Sequence, residues 1–268
     1  MTLFDFSKKK QTGSSGSLET EKRLLWNNMN FAATEAYNLL RTNLLLSFAD
    51  EEGARLVGMT STEHAEGKSL TSINLAASLA KAGLQTLLLE GDLRMPVIAR
   101  YLNVKSHEGL SELLTGMVSR MDEVIFPVEQ CKGLDVIFCG RTPPNPSELL
   151  GSKRMEVLLQ ELGKHYDYII VDLPPVGAVS DALVLSKKLS GMIVVVRNNV
   201  TTQPELADTI RQLQYTDARI LGFVYNDADT SGHGYGKKYY KKHYKYGYYS
   251  SSGSSTEEKN ATTEKKVN

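Results

Sequence analysis

Between residues 54 and 225 the chain alternates between short, continuous apolar runs and longer stretches in which apolar residues recur every third or fourth position. The runs are ARLVGMT (54–60), QTLLLEG (85–91), LDVIFCG (134–140), YDYIIVD (166–172), GMIVVVR (191–197) and RILGFVY (219–225). Uninterrupted runs such as YIIVD and MIVVV suit strands covered on both faces. The helical stretches 67–82, 152–163 and 203–214 supply that cover. The pattern predicts an α/β fold with a doubly wound, mostly parallel sheet, whose ligand site lies beyond the carboxyl ends of the strands. Upstream, NFAATEAYNLLRTNLLLSFAD places Ala36, Leu39, Leu40, Leu44 and Phe48 at helical spacing, which predicts an amphipathic helix.

The two ends lack this periodicity. Residues 1–28 are polar and rich in Ser, Gly and Lys, a composition that buries too little surface to offset the entropy of ordering. They are expected to form a flexible N-terminal arm, with 29–226 as the folded domain and 227–268 as a disordered tail.

Composition changes this picture little. Lys+Arg and Asp+Glu balance at 31 each, so net charge selects no class of partner. Cys131 and Cys139 have neither metal-site spacing nor a second pair nearby and read as reduced thiols of a cytosolic protein. No apolar run approaches the ~18 residues of a membrane span, and the first residues lack the apolar stretch of a secretory signal. The expectation is a cytoplasmic protein that reaches a membrane only through a partner.

Candidate chemistry begins after the first strand. STEHAEGKSLTSINLAASLAKAG opens a helix, the context a phosphate-binding loop requires, and Gly67-Lys68-Ser69 completes the motif. Backbone N–H groups across Glu66, Gly67, Lys68, Ser69 and Leu70 would hold nucleotide phosphates at the helix N-terminus. Lys68 would neutralise the outer oxygens, and the Ser69 hydroxyl would ligate Mg²⁺. Thr62 stands where the motif has its first glycine, and Ala65 replaces a second. The second strand ends in LLLEGDLRMP, with Glu90, Asp92 and Arg94, and the fourth in YIIVDLPP, with Asp172. Taken singly, the acids read as a solvated turn and a helix cap. Beside a GKS loop, two carboxylate-bearing strand ends favour a metal-nucleotide site, with Asp92 and Asp172 on the metal. Phosphoryl transfer also needs a group to orient an attacking hydroxyl, and Glu90 or Asp92 is the candidate.

These residues resemble the bacterial protein-tyrosine kinases (BY-kinases) of capsule and exopolysaccharide systems, which use a P-loop NTPase fold. EGKSLTSINLAASLAKAG is similar to the family's Walker A segment, LLLEGDLRMP to Walker A′ and YIIVDLPP to Walker B. GLSELLTG (109–116), PPNPSELLGS (143–152) and a tyrosine-rich tail match as well, so the resemblance runs from about Glu35 to Tyr249. It implies an ATP- and Mg²⁺-dependent autokinase in which Lys68, Ser69, Asp92 and Asp172 serve as above. Glu90 stands two residues before Asp92 where the family usually has aspartate, and Asn226 matches a base-contacting position of related ATPases. The resemblance also implies a ring of subunits. Its helix stripe reads Glu35, Asn38, Arg41 here, lacking the middle cation: the stripe reads either as a solvated face or as the seam of a weaker or differently bonded ring. A transmembrane adaptor that activates the kinase, a cognate tyrosine phosphatase and sugar-pathway protein substrates are the implied partners.

The tail gives this reading a substrate. Seven of the thirteen tyrosines, Tyr235, Tyr239, Tyr240, Tyr244, Tyr246, Tyr248 and Tyr249, fall in one run with five lysines and no acid. Such a run can bind nucleic acid by stacking and charge. Beside a phosphoryl-transfer site it reads instead as the phosphoacceptor, with no nucleic-acid partner. The alternative is a positioning ATPase of the ParA/MinD type. Those carry a signature lysine early in the loop, where this chain has Glu63, and tend to end in an amphipathic helix that a Tyr/Lys/Gly run forms poorly.

Overall fold

The computed structural model describes residues 25–105 and 108–228. The chain divides into two compact units, Met1–Asp227 and Ala228–Asn268, and only Ala228 of the second is among the described residues. The expectations for the arm at 1–24 and for the tail with its seven tyrosines lie outside the described residues.

Among the described residues seven strands form one sheet in the order β3-β4-β2-β5-β1-β6-β7. They are β1 (Arg55–Ser61), β2 (Thr86–Glu90), β3 (Ile125–Pro127), β4 (Leu134–Ile137), β5 (Tyr168–Asp172), β6 (Gly191–Arg197) and β7 (Ile220–Asn226). All six strands expected from the apolar runs are present and pair in parallel. The unexpected β3 adds an antiparallel edge of three residues, too short for a periodic signal. The run 134–140 leaves the ladder after Ile137: the carbonyls of Phe138 and Cys139 instead accept the N–H groups of Leu110 and Ser111.

Alternate strand residues feed two cores, as a sheet covered on both faces requires. Leu87 and Leu89 pack with helices α4 (Leu110–Thr115), α5 (Pro146–Gly151), α6 (Lys153–Leu162), α7 (Asp181–Ser186) and α8 (Gln203–Tyr215). Leu88 faces α1 (Phe31–Leu46), α2 (Lys68–Lys81) and α3 (Ile98–Leu102) on the other side. Helix α2 is almost wholly buried, and its small residues Ser72, Ala76, Ala77 and Ser78 let it lie between the sheet and α1.

Helix α1 begins where Asn30 Oδ1 accepts the Ala33 N–H at 2.9 Å. Its buried face is rotated from the expected one. Leu44 and Phe48 are buried and Leu40 packs against the core, but Ala36 is exposed and Leu39 is 56% exposed. The reason is polar: Tyr37 and Arg41 turn toward α2, where Tyr37 meets Asn74 and Thr71 and Arg41 donates to the carbonyl and hydroxyl of Ser78. A hydrophobic count cannot see those contacts.

Candidate active site

The strand order places β2, β5 and β1 side by side, so segments far apart in sequence end at one edge. Glu90 and Asp172 sit opposite each other in register, as do Asp172 and Met59. The loop 62–67 leaves β1 there and enters α2.

That loop is braced from within and from outside. The buried Glu66 carboxylate accepts the N–H groups of Thr62 and Glu63 at 2.8 and 3.1 Å and the Thr201 hydroxyl. The Glu66 carboxylate is therefore engaged by the protein itself. Asn226, at the end of β7, donates to the Glu66 carbonyl at 2.9 Å, and Arg197 donates to that of Ala65 at 3.0 Å. Ala65 and Gly67 have φ of 62° and 92°, the left-handed region in which a β-carbon is strained.

Lys68 projects from the first turn of α2 into the carboxylates. Its Nζ lies 2.9 Å from Asp92 Oδ2, 3.6 Å from Asp172 Oδ2 and 3.2 Å from Ser69 Oγ, with 9% of the residue exposed. Burial disfavours the ammonium, but Asp172 and Asp92 outweigh it and hold Lys68 above the usual lysine range. One cation thus serves two buried carboxylates. Asp172 is the under-compensated one: burial pushes it up despite Lys68, Ser69 and Ser72, its Oδ1 accepts a 3.2 Å bond from Ser72, and its Oδ2 faces Lys68 at 3.6 Å, beyond hydrogen-bond distance. A buried carboxylate oxygen with no hydrogen bond, beside Asp92 and the Ser69 hydroxyl, makes a donor set suited to a hard divalent cation, so the residues fit Mg²⁺.

Glu90 takes a different place from its neighbours. Its carboxylate accepts the N–H groups of Val97, Ile98 and Cys139, at 2.7, 2.6 and 3.0 Å, and burial pushes its pKa up. Those bonds bind the end of β2 to α3 and to the chain after β4. Arg94 holds the same segment from the other side, with its Nε and Nη2 2.9 and 3.0 Å from the Asp181 oxygens, which also accept the Ser147 hydroxyl. Asp181 and Ser147 escape sequence reasoning because each reads as an ordinary helix start. Glu112 explains GLSELLTG: its carboxylate accepts the N–H groups of Gly109 and Arg141 at 2.8 and 3.2 Å. In the α1 stripe, Glu35 accepts from Asn38, and Asn38 from Arg41, which is itself bonded to Ser78.

A family model described as ParA, NUBPL iron-transfer P-loop NTPase, matches residues 54–250. Other likenesses are to kinases. CpsD of Streptococcus pneumoniae, named a tyrosine-protein kinase, is 36% identical over 207 residues, which are 76% of this chain and 88% of CpsD. YwqD of Bacillus subtilis, named likewise, is 35% identical over 216 residues, 81% of this chain and 86% of YwqD. The chain belongs to the bacterial protein-tyrosine kinases.

The solved kinase domain of Escherichia coli tyrosine kinase Etk matches this BY-kinase at a TM-score of 0.71 and 33% identity, over 80% of this chain and 84% of that one. EpsB of Ralstonia solanacearum is 37% identical over 90% of this chain, but the chain spans only 33% of EpsB. MinD of Pyrococcus horikoshii, at 20% identity and a TM-score of 0.54 over 63% of this chain and 69% of that one, shares the fold alone. Among the described residues of the BY-kinase no helix is long and apolar enough to cross a membrane, and both cysteines are free and buried.

Proposed function

We propose that this chain is an ATP-dependent tyrosine autokinase that phosphorylates its own C-terminal cluster, Tyr235 to Tyr249, in trans. The observation that carries the reading is the convergence of Lys68, Asp92 and Asp172 at the head of the loop. ATP would lie with its phosphates on the N–H groups of 66–70 and its base toward Asn226. Ser69, Asp92 and Asp172 would hold Mg²⁺, which supplies charge neutralisation at the phosphates. Lys68 would leave the carboxylates to meet the outer phosphate oxygens. Asp92 would orient the tyrosine hydroxyl and receive its proton as the new P–O bond forms and ADP leaves.

The tail lysines favour an acidic or phosphate-bearing surface, and each phosphotyrosine adds about −1.5 to −2 charges. About three would outweigh the five lysines and turn the tail anionic. That reversal would drive subunits of a ring apart or change engagement with a transmembrane adaptor that recruits the chain to the inner face of the membrane, with a cognate phosphatase resetting it. Regulation of capsular or exopolysaccharide chain length and sugar-pathway substrates follow from the same reading.

The ParA match favours a positioning ATPase as the second reading, and Glu63 in place of that class's lysine counts against it. An anti-phosphotyrosine blot after incubation with ATP and Mg²⁺ separates them. The kinase reading expects signal in the wild type and none in Lys68→Met or in a variant with all seven tail tyrosines changed to Phe. A blank wild type with steady ATP hydrolysis would leave the ATPase.

A further inference from the structure

Glu90 is 1% exposed, yet both its oxygens are occupied by the protein's own backbone. Oε1 accepts from Val97 and Ile98, seven and eight positions on, and Oε2 from Cys139, forty-nine on. The segment between Glu90 and Val97 carries Asp92, whose Oδ1 accepts the Met95 N–H at 3.0 Å while Oδ2 meets Lys68. One carboxylate therefore closes both ends of the loop on which Asp92 rides and fastens it to the chain that follows β4. Charge-assisted bonds of this kind are stronger than neutral ones and cost more to lose when buried.

We propose that Glu90 is a positioning residue that acts through Asp92 and touches neither nucleotide nor tyrosine. The extra methylene of glutamate supplies the reach to α3: an aspartate would stop about 1.5 Å short of the Val97 and Ile98 amides unless the loop moved. The inference rests on the kinase reading for its consequence, but not for the clamp itself.

The test compares full-length wild type, Glu90→Gln and Glu90→Asp. Gln keeps the length and an accepting oxygen, whereas Asp keeps the charge and loses the reach. A positioning role makes Asp the worse variant, with the Mg²⁺ concentration for half-maximal autophosphorylation raised by about 10–100-fold and kcat at saturating Mg²⁺ reduced less. Hydrogen exchange without nucleotide gives a readout independent of activity. The amides of Val97, Ile98 and Cys139 should be protected in the wild type, exposed in Glu90→Asp and intermediate in Glu90→Gln. An active Asp variant beside a dead Gln variant would make Glu90 the base and overturn the inference. So would fast exchange of those three amides in the wild type, a measurement that stands even if a variant fails to fold. A wild type that makes no phosphotyrosine but protects the three amides sinks the kinase reading and leaves the clamp.

Discussion

Asn226 closes over Gly67 so tightly that a β-carbon on the glycine would lie 2.2 Å from the asparagine Nδ2. The same amide donates to the Glu66 carbonyl, so the last strand holds the phosphate loop in shape. Gly67→Ala meets both this contact and a left-handed φ of 92°. It should lower nucleotide affinity by at least about tenfold, the cost of ~1–2 kcal/mol of backbone strain plus the clash. Asn226→Ala removes the clash and not the strain, and itself loosens the loop, so titration of a fluorescent nucleotide should show Gly67→Ala costing less in the Asn226→Ala background than in the wild type.

Lys68→Met removes the one cation that two buried carboxylates share. Without metal the variant should lose about 3 kcal/mol, or about 6–12 °C in melting midpoint. Millimolar Mg²⁺ without nucleotide should restore part of that loss and move the wild type less, because there the ammonium competes for the same oxygens. Thermal melts of both proteins with and without Mg²⁺ decide it; equal responses would mean that the carboxylates do not hold the metal.

Ala65 occupies a φ of 62°, a conformation glycine adopts without a Cβ penalty. Relief of the strain is offset by the greater freedom of glycine in the unfolded chain. Ala65→Gly is expected to stabilise the fold by up to about 1 kcal/mol, a rise of about 2–4 °C in a calorimetric scan.

Burial, with the Glu90 charge nearby, pushes the Cys139 thiol up to about 12 from an ordinary value of 9.0. Between those values the unfolded chain has released its proton and the folded chain has kept it, so stability falls as pH rises. Below pH 9 this contribution is fully present. Urea titrations from pH 8 to 11 should show the decline, and Cys139→Ala should reduce its slope by up to ~1.4 kcal/mol per pH unit. At pH 8 neither native cysteine should react with an alkylating reagent, and both should after unfolding.

The parallel frame and the edge that carries the site were legible because they depend on local pattern. Continuous apolar runs mark buried strands, and GKS, Asp92 and Asp172 follow directly from strand ends. What stayed hidden depends on how far a side chain reaches across the fold. Glu90 and Cys139 are forty-nine positions apart, and Arg94 and Asp181 eighty-seven. From sequence, Glu90 looks like a second catalytic acid; three backbone donors engage it once the fold brings them near. The rotation of α1 has a similar cause, since polar Tyr37 and Arg41 choose the buried face. Glu66 stands in the loop for its backbone N–H, and what the sequence does not show is that its carboxylate serves the loop's own amides.

The sheet's two margins are unequal. On one side β3 is three residues long and ends in Pro127, which has no N–H to donate. On the other, β7 runs for seven residues with Phe223 and Tyr225 49% and 60% exposed, and no further described strand pairs with it. Among the described residues the sheet is thus terminated at one border by a short, proline-ended strand and bounded at the other by a long one that pairs on a single side. That long margin belongs to the same strand whose last residue clasps the loop after β1, so the sheet's outer border and the shape of the loop are mechanically one piece.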